Sequence, residues 1–186
     1  AVLSGGNPTG NGLFYVQGKV VLIDLILENG KSNYGAAIEI DGPGGGVINS
    51  HTYLIRSIIR NCESGVRGGA VTIGGANAIL ILEDSTLESN KASSIGGGVY
   101  ASGGAKIQIK GSSSIKNNIA TFGGGLYLIS KDTTLEIIGD GTQLLVDGNT
   151  AREGGGVYAR DGSKIMLSSA ASMNVTNNKA THKKGG

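Results

Sequence analysis

The sequence repeats itself with a period near 30 residues. An aliphatic residue followed three positions later by asparagine recurs six times: Ile26 to Asn29, Ile58 to Asn61, Leu87 to Asn90, Ile115 to Asn118, Val146 to Asn149 and Val175 to Asn178. The asparagines stand 32, 29, 28, 31 and 29 residues apart. Three of them are followed within seven residues by three glycines, an aliphatic residue and a tyrosine, as Gly96 to Tyr100, Gly123 to Tyr127 and Gly154 to Tyr158. Self-similarity at this spacing means one structural unit per repeat, stacked in a row, because a unit of that size cannot bury its apolar face alone.

The stretch from Asn90 to Asn117 shows what the unit contains. A polar loop leads to the glycines and then to Val99-Tyr100-Ala101. After a Gly103-Gly104 turn comes the strict alternation Lys106-Ile107-Gln108-Ile109-Lys110, then a Gly-Ser turn and Ser114-Ile115-Lys116. These are three short strands separated by turns. Stacked units bring like residues into columns. The first strand aligns Ile38, Val71, Val99, Leu126 and Val157, with Glu39, Thr72, Tyr100, Tyr127 and Tyr158 beside them. Alternation puts the aliphatic column inside and the tyrosine column toward water. The second strand aligns Ile79, Ile107, Leu135 and Ile165, then Ile81, Ile109, Ile137 and Leu167. The third aligns Ile26, Ile58, Leu87, Ile115, Val146 and Val175.

A three-strand coil of this length, bonded to copies of itself about 4.8 Å above and below, is a parallel β-helix of about six coils. The asparagines Asn29, Asn61, Asn90, Asn118, Asn149 and Asn178 then form an internal ladder. Each amide both donates and accepts, to its neighbours or to turn backbone. Residues 26–186 read as regular coils and residues 1–25 as irregular or as a shorter first coil, all one domain. The glycine cluster beginning at the C-terminus reads as a piece of a longer chain.

Composition narrows the function. There are 34 glycines, 2 prolines and no tryptophan, with 39% hydrophobic residues, too apolar for a disordered glycine-rich linker. The net charge of +2 comes from 16 basic and 14 acidic residues scattered along the chain, which makes nucleic acid a poor partner. The longest apolar stretch, Val20 to Leu27, is broken by Asp24 and cannot span a bilayer. One cysteine, Cys62, excludes an internal disulfide.

Gly68-Gly69-Ala70-Val71, its Gly-Gly-Gly variants at 96, 123 and 154, and the aliphatic-x-x-Asn elements together resemble the internal repeats of the polymorphic outer-membrane proteins. The resemblance covers residues 26–186, with Ile, Leu or Val where that family carries phenylalanine. It implies a right-handed parallel β-helix, an autotransporter-like passenger displayed at the cell surface, and an adhesive role without catalytic residues.

Candidate sites are few. Tyr100, Tyr127 and Tyr158 are expected to form an outward ladder that either shields the sheet or offers stacking faces to glycans or a protein. Carbohydrate-active β-helices cluster carboxylates or a basic residue on one outer face. Here Glu39 has no acidic neighbour in its column, and Asp132, Asp140, Asp147, Glu153 and Asp161 fall in unrelated registers. No metal site is expected, since His51 and His182 occupy different columns, and no cofactor. Lys31-Ser32 lacks the upstream glycine of a phosphate loop. Asp24 and Arg56, each five residues before an asparagine, are expected to meet as an ion pair. Cys62 is expected in a turn near the surface, as a free thiol or an intermolecular disulfide. Asn174, in a glycosylation sequon beside an inward Val175, should point outward. The leading expectation is a non-enzymatic extracellular or cell-surface module whose partners are other protein segments, copies of itself through ends or faces, or glycans. The alternatives are an extracellular filament subunit assembled by stacking and, with less support, a carbohydrate-active enzyme.

Overall fold

A computed structural model describes residues 1–5, 12–41 and 49–182, without the side chain of residue 41. Every strand pairing in it is parallel and joins one coil to the next. No described residue is helical. The chain is a parallel β-helix of about six turns, as its repeat predicts.

Three faces run along it. The first is a six-stranded sheet from Phe14–Val16 through Ile38–Asp41, Val71–Gly74, Val99–Ser102 and Leu126–Leu128 to Val157–Ala159. The second, also six-stranded, runs from Lys19–Ile23 through Ser50–Ile55, Ala78–Glu83, Lys106–Lys110 and Thr134–Ile137 to Lys164–Leu167. The third has seven strands, from Val2–Ser4 and Ile26–Glu28 to Ser172–Thr176. The segment read as irregular or as a shorter coil is thus a first coil contributing one strand to each face. Residues 6–11, 42–48 and 183–186 of the expected domain lie outside the described residues.

The core is the tube between the faces. Ile38, Val71, Val99 and Leu126 of the first face are fully buried and in the expected register. On the second face the expectation for one coil is corrected: Leu80 and Leu82, not Ile79 and Ile81, align with Ile107 and Ile109 and point inward. The run Ala78-Ile79-Leu80-Ile81-Leu82 is apolar at every position, so alternation carries no parity there. The third face needs a similar shift in its first coils. Leu27 and Ile59, not Ile26 and Ile58, share the inward column with Leu87, Ile115, Val146 and Val175.

One-residue slips of this kind exchange inside for outside, and here the polar turn residues decide them. Ser57, Ser85 and Ser113 stack at the corner before the third face. The backbone N–H of Ser57 donates to Ser85 Oγ at 3.1 Å, and that of Ser85 to Ser113 Oγ at 3.2 Å. These serines are buried, and each stands two residues before an inward aliphatic.

Candidate functional site

The asparagine column is interior. Asn90, Asn118 and Asn149 are fully buried, and the amide of each spans two coils. Asn118 Nδ2 donates to Asn149 Oδ1 at 3.0 Å and to Leu87 O at 3.1 Å, while Asn118 Oδ1 accepts from both the backbone N–H and Nδ2 of Asn90. The pattern repeats from Asn149 to Asn178. With both ends of each amide satisfied, the rungs lock one coil to the next inside a low-dielectric tube.

Two expected rungs are corrected. Asn29 and Asn61 stand one position earlier, among the left-handed turn residues. Their φ values are 58° and 55°, alongside Ser89 at 56°, Asn117 at 56° and Asn177 at 53°. Asparagine is among the few side chains at home in that region, so it serves both columns. The true ladder positions in the first coils are Gly30 and Cys62. Cys62 is therefore no surface turn residue: it is 1% exposed, and its backbone N–H donates to Asn90 Oδ1 at 3.1 Å. Burial pushes its thiol up to about 11.

The tyrosine column is in the expected register but is not exposed. Tyr100 and Tyr127 are 8% and 6% exposed, and Tyr158 is half-buried. Their rings stack, Tyr100 on Tyr127 with centroids 5.8 Å apart and Tyr127 on Tyr158 at 5.1 Å. The loop preceding each glycine cluster folds back beside them. Its residues Tyr34, Arg67, Ile95, Phe122 and Glu153 form their own ladder from coil to coil. The Arg67 guanidinium sits 4.7 Å from the Tyr34 ring centroid and 5.0 Å from that of Tyr100, and Phe122 meets Tyr158 edge-on. Glycine is what lets this loop close. Gly123 has φ +63° and its missing Cβ would lie 2.9 Å from Tyr127 Cβ. Gly125 lies where a Cβ would fall 3.1 Å from Asn149 Nδ2, so ladder and glycine turn interlock. Burial raises the Tyr127 phenol, with Arg160 opposing that shift.

Charges on the outside are arranged by coil. Arg56 meets Asp24 through two contacts of 2.8 Å, the pair expected from spacing. That hydrogen bond and charge hold the Asp24 carboxyl below its ordinary value. A column that the sequence reading missed alternates in sign: Glu28, Arg60, Glu88, Lys116 and Asp147. Arg60 bonds Glu28 at 2.8 Å and Lys116 bonds Glu88 at 3.1 Å. Asp147 accepts from Thr176 and Asn177, which lowers its pKa. The signal was legible as a charge one residue after each inward aliphatic, once the register was known.

The remaining acidic residues do not converge. Asp132 is paired at 3.5 Å with Lys164, Asp161 with the adjacent Arg160, and Glu153 lies in the loop ladder. His51 lies on the second face, whereas His182 accepts from Arg152 at 3.3 Å. A polar groove of about 260 Å³ lies between Lys31, Asn33, Glu63 and Ser93. Its hydroxyls Ser32 and Ser64 are spent on backbone carbonyls of the loop. Asn174 is exposed and outward, as expected. Among the described residues no group of three or more His, Cys, Asp or Glu side chains could hold a metal ion, and no helix is long and apolar enough to cross a membrane. No family model, curated protein or solved structure matches the chain.

Proposed function

We propose that this chain is a non-enzymatic β-helical module of an extracellular or cell-surface protein, of the adhesin or autotransporter-passenger kind. The observation that best supports the reading is where its polar chemistry goes. Buried amides and hydroxyls join coil to coil, and outer charges pair across coils, as in Glu28 with Arg60 and Glu63 with Lys91. Groups held this way are fixed in a repeating lattice along a rod, a suitable support for contact surfaces carried away from a cell. Contacts with other proteins or glycans belong on the outer faces and loops, because the stacked faces of Tyr100 and Tyr127 are already covered.

Antibodies against the purified chain, applied to intact cells that make the parent protein, should label the surface, and brief external proteolysis should remove the label. Labelling that appears only after permeabilisation would refute surface display. Degradation of an acidic polysaccharide by the purified chain, lost in Glu39→Gln, would overturn the non-enzymatic reading.

A further inference from the structure

The outer side of the second face carries a nine-residue grid over its first three coils. Tyr53 is the centre, with Val21 and Ile81 before and after it in its column. His51 and Ile55 flank it on its own strand. The corners are Lys19 and Ile23 on one adjacent strand and Ile79 and Glu83 on the other. Six of these nine outward positions are apolar. Val21 and Ile23 are each 45% exposed, Tyr53, Ile55 and Ile79 are half-buried, and Ile81, at 3%, is buried.

The fold does not demand this. In the next coil the same three columns carry Lys106, Gln108 and Lys110, and Lys106 and Gln108 bind Glu136 one coil further on, at 3.0 and 2.9 Å. The same three columns thus carry an ion-paired network in the fourth and fifth coils and mostly apolar side chains in the first three.

The two charged corners identify the occupant. Lys19 and Glu83 have opposite signs and stand diagonally across the grid, equidistant from Tyr53 in register. Lys19 lies over the Tyr53 ring at 5.3 Å, and among the described residues neither it nor Glu83 enters an ion pair. A two-fold axis in the plane of the face, through Tyr53 and perpendicular to that diagonal, sets each Lys19 against the Glu83 of a second copy and closes the aliphatic positions over the axis. We propose that this grid is a self-complementary surface through which two copies of the chain pair side by side. It measures only about 13 Å along the strands and about 10 Å across them. That is far less than the roughly 800 Å² per partner of a standard interface. The pairing is accordingly weak, and it fills where copies are crowded, as in an array on a surface. The proposal goes beyond the surface-module reading and is tested on the purified chain, so either can fail alone.

Sedimentation equilibrium over a wide concentration range should show a reversible dimer. Tyr53→Lys should lower its association constant on the order of tenfold or more. Met166→Lys, in the same column but three coils away from the grid's nearest row, should leave it unchanged. Lys19→Glu and Glu83→Lys should each weaken the dimer, and the double charge swap should restore it, with circular dichroism confirming that all variants fold. A chain that stays monomeric at every concentration overturns the proposal. So does a dimer indifferent to Tyr53→Lys, or charge reversals whose effects add without rescue.

Discussion

Cys62 stands directly over Asn90: its backbone N–H donates to Asn90 Oδ1 at 3.1 Å, and its Sγ donates to Arg60 O at 3.3 Å. A thiol thus ends the asparagine ladder, occupying the rung that an amide fills in the following coils.

That placement makes stability fall at alkaline pH. The thiol titrates near 9.0 when solvated and at about 11 in the folded chain, so above pH 9 the unfolded state releases a proton the folded state retains. By linkage the contribution is intact below about pH 9 and is lost as pH rises toward about 11. Denaturant unfolding of the chain and of Cys62→Ala across this range should show the steeper alkaline decline in the parent. Parallel curves would mean that the thiol is not buried as described.

Asn118→Ala should be costly. It strands the Asn90 backbone N–H and one Asn90 amide hydrogen, and it removes the donor to Leu87 O. At roughly 1–3 kcal/mol per buried unsatisfied group, partly relieved by relaxation, the loss should be about 3 kcal/mol in chemical denaturation. Asn29→Ala, in the solvated turn column, should cost much less. Equal losses would contradict the assignment of ladder and turn.

Thr52→Val should stabilise. Thr52 is fully buried at an inward position between Val20 and Leu80, and its Oγ1 has no hydrogen-bond partner among the described residues. Replacing the hydroxyl by a methyl group of similar shape removes an uncompensated desolvation, about 1 kcal/mol. A lower melting temperature would show that the hydroxyl is satisfied after all.

Tyr127→Ala should unfold more easily by about 3 kcal/mol, since it empties a covered site and removes ring stacking on both sides. An exposed ligand-binding tyrosine would lose ligand with little change in melting temperature, the outcome that would restore the binding role.

The period of the repeat, its glycine clusters and the alternation in Lys106–Lys110 were enough to specify a stack of three-strand coils. They also placed the columns from Asn90 onward and the Asp24–Arg56 contact. Where several aliphatics run together, as in Ile26-Leu27, Ile58-Ile59 and Ala78 to Leu82, the same letters fit either parity. Asparagine fits both the left-handed turn and the ladder, as the adjacent Asn117 and Asn118 demonstrate. Only cross-coil hydrogen bonding separates those choices, because a slip of one residue would bury Asn61 in place of Cys62. Exposure of the tyrosines was likewise beyond a strand's own period. Alternation states which side of a sheet a residue occupies, but the loop that folds over Tyr100 and Tyr127 belongs to neighbouring turns. The local rhythm of strands and turns is therefore written along the chain, whereas register and burial are set between coils, where long-range hydrogen bonds and side-chain packing choose among patterns that are locally equivalent.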